Sequence, residues 1–91
     1  MIFPYQVKWV AEKYLRMLLS NYPSQLRVCM EDEKFPLWCR LCSERLNQLD
    51  LAGFVRSRAA VDHFIKTAVI AYAKHQLKKA SLKVPTQNNS A

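Results

Sequence analysis

The stretch SRAAVDHFIKTAVIAYAKHQLKKASL, residues 57–82, decides the fold class. Val61, Phe64, Ile65, Ala68, Val69 and Tyr72 recur at intervals of one, three and four, the spacing of a single helix face. Neither Pro nor Gly interrupts the run, and Ser57 has the side chain that caps a helix start. A helix from there to about Leu82 is predicted. At 100° per residue, Arg56, His63, Lys74 and Lys78 gather opposite the apolar stripe, with Lys66 at their margin. Arg58 adds a further cation near the start.

An apolar stripe of that length has to be covered, and the upstream sequence offers the cover. Gly53 is a natural stop for a preceding helix that Pro36 opens. Leu37, Leu41, Cys42, Arg45, Leu46 and Leu49 are the expected stripe of that helix. Glu31-Asp32-Glu33-Lys34 forms a polar linker whose acids lie near its positive end. Between Ser24 and Lys34 a short helix is expected, capped by Ser24 and carrying Leu26, Cys29 and Met30; a short extended piece over Leu26–Met30 is the alternative. The first helix starts at Pro4 and turns Val7, Val10, Ala11, Tyr14, Leu15 and Leu18 to one side. Glu12 and Arg16 stand one turn apart on it, and Asn21-Tyr22-Pro23-Ser24 is the turn that ends it.

Only one glycine occurs in 91 residues, which argues against a hairpin-rich sheet protein. The hydrophobic share is 51%, ample for a core. The expectation is an all-α bundle of three to four helices, with the stripes of the first, third and last helices packed together. One domain over residues 1–84 and a disordered polar tail over 85–91 complete the layout.

The formal charge is +7, from 14 Lys and Arg against 7 Asp and Glu. Most of the excess lies after residue 55, where Asp62 is the lone acid. A basic excess in so short a chain points to a polyanion, and phosphates attract clustered Lys and Arg through counterion release. The alternative meanings are an ordinary solvated helix surface, interrupted by Ile70 and Leu77, or a membrane surface. No bulky apolar wedge beside the lysines favours the last. The longest apolar run, Ala68 to Ala73, is far too short to span a bilayer.

Trp9 falls off the apolar stripe of the first helix, near Tyr5 and Arg16. Three meanings stay open: burial by a centrally placed helix, a protein interface, or a stacking platform for a base. Trp38 adjoins Leu37 and is expected in the core.

Cys29, Cys39 and Cys42 leave one thiol over after any disulfide, and Met1–Tyr5 lacks the charged start of a secretory leader. A reducing, cytoplasmic setting is expected. Cys39 and Cys42 have C-x-x-C spacing near a helix start, which can lower a thiol pKa, but no strand–helix–strand setting surrounds them. Cys29, Cys39, Cys42 and His63 make four possible zinc ligands without a second paired motif. Small buried apolar residues are the favoured reading of the cysteines. His63 and His75 lack a nucleophile or carboxylate at catalytic spacing, and one glycine cannot build a phosphate-binding loop. No catalysis, metal, cofactor or small-molecule substrate is therefore expected.

In size, helical pattern and the basic helix Arg56–Lys83, the chain resembles the small helical subunits of CRISPR interference complexes. The resemblance rests on gross character over the whole chain. It implies a non-catalytic antiviral-defence subunit that lines a nucleic-acid groove beside other protein subunits. The residues themselves point to RNA or DNA backbone binding by Arg56, Arg58, His63, Lys66, Lys74 and Lys78, with little sequence specificity. The rival expectation is a protein–protein adaptor or regulator without nucleic-acid contact, using Tyr5, Trp9 and Leu19, with Arg16 beside them.

Overall fold

The computed structural model describes residues 1–53 and 57–83, with side chains described as far as Lys79. Arg56, the domain limit at residue 84 and the tail 85–91 lie outside the described residues. Among the described residues four helices follow one another: α1 Pro4–Leu18, α2 Pro23–Met30, α3 Phe35–Leu51 and α4 Arg58–Lys83. The all-α bundle expected from the sequence is the fold. α1 packs on both α3 and α4, α2 leans on α4, and α3 and α4 touch each other far less. The core thus forms beneath α1.

Proline sits in the first turn of α1, α2 and α3, where its missing N–H is no loss. α1 is steadied at its start by Gln6 Oε1, which accepts from the Phe3 N–H at 2.7 Å. Asn47 of α3 then clasps the entering chain both ways. Its Oδ1 accepts from the Ile2 N–H at 2.8 Å and its Nδ2 donates to the Ile2 carbonyl at 2.9 Å. Gly53, at φ 81°, ends α3 as expected, since a Cβ is costly in that left-handed region. Ser57 caps α4, its Oγ accepting from the Ala60 N–H at 3.1 Å.

The core consists of Val7, Ala11 and Leu15 of α1, Cys29 of α2, Phe35, Cys39, Cys42 and Leu46 of α3, and Ile65, Val69, Tyr72 and Ala73 of α4, closed by Leu19. Val61, Phe64 and Ala68 pack against it half-buried, so the apolar stripe read for α4 is the packed one. Tyr72 of α4 makes a polar link to the end of α2 and the segment after it. Its hydroxyl reaches the Cys29 carbonyl at 3.0 Å and Asp32 Oδ2 at 2.9 Å. Phe35, Trp38 and Tyr72 form a ring cluster with centroids 5.2 to 5.8 Å apart.

Four expectations are corrected. Residues 23–30 are helical, but Tyr22 is the N-cap and Ser24 makes no capping bond, because Pro23 already takes the first turn. Leu18 is exposed and Leu19 is buried. The helix ends between them, and Leu19, at φ −112° and ψ 28°, turns its side chain inward. This also removes Leu19 from any exposed interface. The stripe of α3 is the spacing Phe35, Cys39, Cys42, Leu46, whereas Leu37, Leu41 and Arg45 face outward. Only Cys42, Leu46 and the half-buried Leu49 survive from the expected set. The face that carries Phe35 and two cysteines fits under α1 without the bulk of two leucines.

Candidate functional site

The candidate cations divide between two surfaces. His63, Lys74 and Lys78 are exposed along the outer side of α4, with Thr67 and Ala71 among them. Leu77, expected to interrupt this side, packs half-buried against the core instead. Arg58 and Lys66 are also exposed, but they border α1. The two ion pairs among the described residues both use Glu12, with Lys8 and with Arg16, each at 3.9 Å. The Glu12–Arg16 pairing read from the sequence is therefore formed. Lys13, Arg58, Lys66, Lys74 and Lys78 meet no carboxylate within salt-bridge distance among the described residues.

α1 and α4 enclose a groove of about 520 Å³ lined by Trp9, Val10, Lys13, Arg16, Met17, Arg58 and Asp62. A smaller one of about 210 Å³, lined by Tyr14, Met17, Leu18, Lys66 and Ile70, shares Met17 with it. Trp9 is 76% exposed, which settles the question left open by the sequence against burial. Tyr5 is exposed one turn earlier and stacks on Phe3 at 5.8 Å. The spacing of Tyr5, Trp9, Lys13 and Arg16 keeps all four on the outer side of α1.

Tyr14, half-buried, lines the smaller hollow. Lys13 Nζ lies 5.2 Å from its ring centroid and Lys66 Nζ 5.8 Å. One ring thus draws ammonium groups from two helices, each attracted to its π cloud. Lys13, Tyr14, Met17 and Asp62 were missing from the sequence-derived site. Lys13 follows Trp9 by one helical turn, and that i, i+4 relation is the signal that marks it. The α1–α4 alignment that adds Met17 and Asp62 has no local signature.

The thiols do not form a reactive centre among the described residues. Cys29, Cys39 and Cys42 are free and buried. Burial pushes Cys39 up to about 11, with Cys42 adding to the rise, and burial alone pushes Cys42 up to about 11. Burial also raises Cys29, with a smaller contribution from Asp32. Cys39 is therefore raised where its spacing suggested a lowered thiol, with loss of water the largest cause. Among the described residues no three His, Cys, Asp or Glu side chains converge as metal ligands, and His63 is exposed away from the cysteines. No described helix is long and apolar enough to cross a membrane. No family model, curated protein or solved structure matches the chain.

Proposed function

We propose that this chain is a non-catalytic helical subunit that binds nucleic-acid backbone, with α4 as the principal basic element, inside a larger ribonucleoprotein or nucleoprotein assembly. The observation that carries the reading is the lack of internal neutralisation. Of the exposed Lys and Arg side chains, only Lys8 and Arg16 meet a carboxylate among the described residues, and they share it. Cations without a carboxylate partner are available to phosphates, and release of condensed counterions drives their binding. Contacts of this kind set register and orientation without reading sequence.

An assembly of the CRISPR interference type fits such a subunit, with the RNA-guided complex supplying the chemistry. Three buried free thiols support a reducing, cytoplasmic setting. A salt titration of binding to mixed-sequence duplex and single strands tests the reading. Log affinity falls linearly with log salt, and Lys74→Glu with Lys78→Glu binds far more weakly at unchanged helical content. Equal binding by wild type and the double variant would remove α4 from the interface.

A second reading, the protein–protein adaptor, is favoured by Leu37 and Leu41, exposed one turn apart on the outer side of α3. Paired apolar side chains on an outer helix face suit a protein neighbour. Sedimentation across protein concentrations, with Leu41→Glu as control, tests it independently of nucleic acid.

A further inference from the structure

We propose that the α1–α4 groove holds single-stranded RNA or DNA, with one unstacked base on Trp9 and flanking phosphates on Lys13, Arg16, Arg58 and Lys66. This deepens the backbone-binding reading above and rests on it, but it uses a different surface from the outer side of α4.

Three observations converge. First, Trp9 presents most of its indole to solvent at the mouth of a hollow about 520 Å³ in volume. Its neighbours Val10 and Met17 give the hollow an apolar lining. Aromatic side chains beside a cationic track are the arrangement on which bases of a single strand stack, whatever their sequence. Second, the cations come from both walls. Lys13 and Arg16 project from α1 and Arg58 from α4, so an anionic strand entering the groove meets positive charge on either side. Third, Lys13 of α1 and Lys66 of α4 each approach the Tyr14 ring, their Nζ atoms 5.2 and 5.8 Å from its centroid. Among the described residues no carboxylate meets either ammonium group within salt-bridge distance. A phosphate reaching either one would meet a positive charge that no carboxylate neutralises.

The charge balance at the rim favours an anion. Lys13, Arg16 and Arg58 line the groove against Asp62 alone, Lys66 lines the adjoining hollow, and Arg16 shares Glu12 with Lys8. Asp62, half-buried in the groove wall, repels a phosphate but accepts a hydrogen bond from a base amino group. The groove selects against duplex. Paired bases are stacked inside the helix, and reaching Trp9 would require unstacking and unpairing one of them. A duplex instead presents its convex backbone to the outer side of α4, where His63, Lys74 and Lys78 stand without an aromatic platform.

The test uses the full chain and dye-labelled twelve-nucleotide strands at one moderate salt concentration. The strands are DNA, RNA, a DNA of abasic sites and the matching duplex. Trp9→Ala should weaken the base-bearing DNA or RNA by about 5- to 150-fold, the loss of one base–aromatic stack. Trp9→Phe should retain most of the affinity. The abasic strand and the duplex should bind wild type and Trp9→Ala alike. Base-bearing strands should quench indole fluorescence in wild type and not in Trp9→Phe, and the tighter-binding strand names the occupant. Single strands that bind Trp9→Ala as tightly as wild type overturn the groove assignment and leave the α4 reading standing. Absence of binding to every strand and to duplex, at that salt concentration and in a repeat at low salt, overturns both. A Trp9→Ala variant that changes only self-association assigns Trp9 to a protein interface and overturns the proposal.

Discussion

The two tryptophans of this chain sit in opposite settings. Trp38 lies half-buried against Phe35 and Tyr72, in a cluster that joins α3 to α4. Trp9 stands on the outer side of α1 with Tyr5, Lys13 and Arg16 for company. Both are helical, and both have charged residues within a turn in the sequence. What separates them is the rest of the face. Phe35, Cys39 and Cys42 make the Trp38 side of α3 a surface that α1 and α4 can cover. Lys13 and Arg16 make the Trp9 side of α1 too costly to dehydrate. An aromatic residue is thus assigned to stability or to contact by its helical neighbours, and the comparison can be broken at either end.

The largest effect should come from the buried end. Phe35→Ala removes a ring that is 2% exposed and in contact with both Trp38 and Tyr72. It should cost about 3–5 kcal/mol, against a total of roughly 5–15 kcal/mol for a domain of this kind. Urea denaturation reads the loss as a fall in midpoint at unchanged slope. Phe64→Ala should cost less, because Phe64 packs against the core only half-buried. If Phe35→Ala left the midpoint unmoved, the cluster would not be holding α3 to α4.

A smaller loss is expected at the polar edge of the same cluster. Tyr72→Phe strips the donor from the Cys29 carbonyl and from Asp32, at a cost of about 1–3 kcal/mol. Alkali should act on the same region. Burial raises Tyr72 well above an ordinary phenol, helped by its hydrogen bond to Asp32, and Cys39 and Cys42 rise from 9.0 to about 11. Each group binds its proton more tightly when folded than when unfolded. Their contribution is therefore complete below pH 9 and is lost as pH rises toward 11 and beyond. Melting temperature should hold steady from pH 7 to 9 on this account and then fall, with a gentler fall in Cys39→Ala. A melting temperature unmoved by these groups between pH 9 and 11 would mean that they ionise as freely in the fold as in the unfolded chain, and a rise that they ionise more readily there.

How far the sequence discloses this arrangement differs from helix to helix. α4 is legible because its apolar spacing runs unbroken for twelve residues beyond a capping serine, so its phase is fixed. In α3 two competing stripes coexist. Leu37 and Leu41 outscore the cysteines in hydrophobicity, yet the face with Phe35, Cys39 and Cys42 is the packed one. Small side chains let α1 approach closely, and hydropathy does not encode closeness of approach. The swap of Leu18 and Leu19 has a similar origin, since a helical wheel assumes a helix that continues, and α1 stops there. The basic residues were readable one by one. Their division into an outer α4 row and an α1–α4 groove depends on how α1 lies across α4, which is a tertiary property. Arg58 and Lys66 were visible in the sequence, but Trp9, which lines the same groove as Arg58, and Tyr14, whose ring Lys66 approaches, lie more than forty residues away.

The exposed end of the comparison yields the smallest effect on stability and the most decisive one. Trp9→Ala should change unfolding free energy by no more than about 0.5 kcal/mol. Two small contributions oppose each other. Trp9 keeps about a quarter of its surface covered, and that packing is lost. Alanine, in turn, is the better helix former at a solvent-facing position by a few tenths of a kcal/mol. Their near-cancellation is expected only if the indole is as free of the core as Leu15, on the opposite side of α1, is embedded in it. Leu15→Ala should lose about 2–5 kcal/mol on the same helix, which makes it the internal standard. Both variants can be unfolded in urea side by side and their midpoints compared. A Trp9→Ala loss approaching that of Leu15→Ala would show that α1 buries both of its sides. The indole would then be a core residue, unavailable to any base, and the contrast between the two tryptophans would disappear with it.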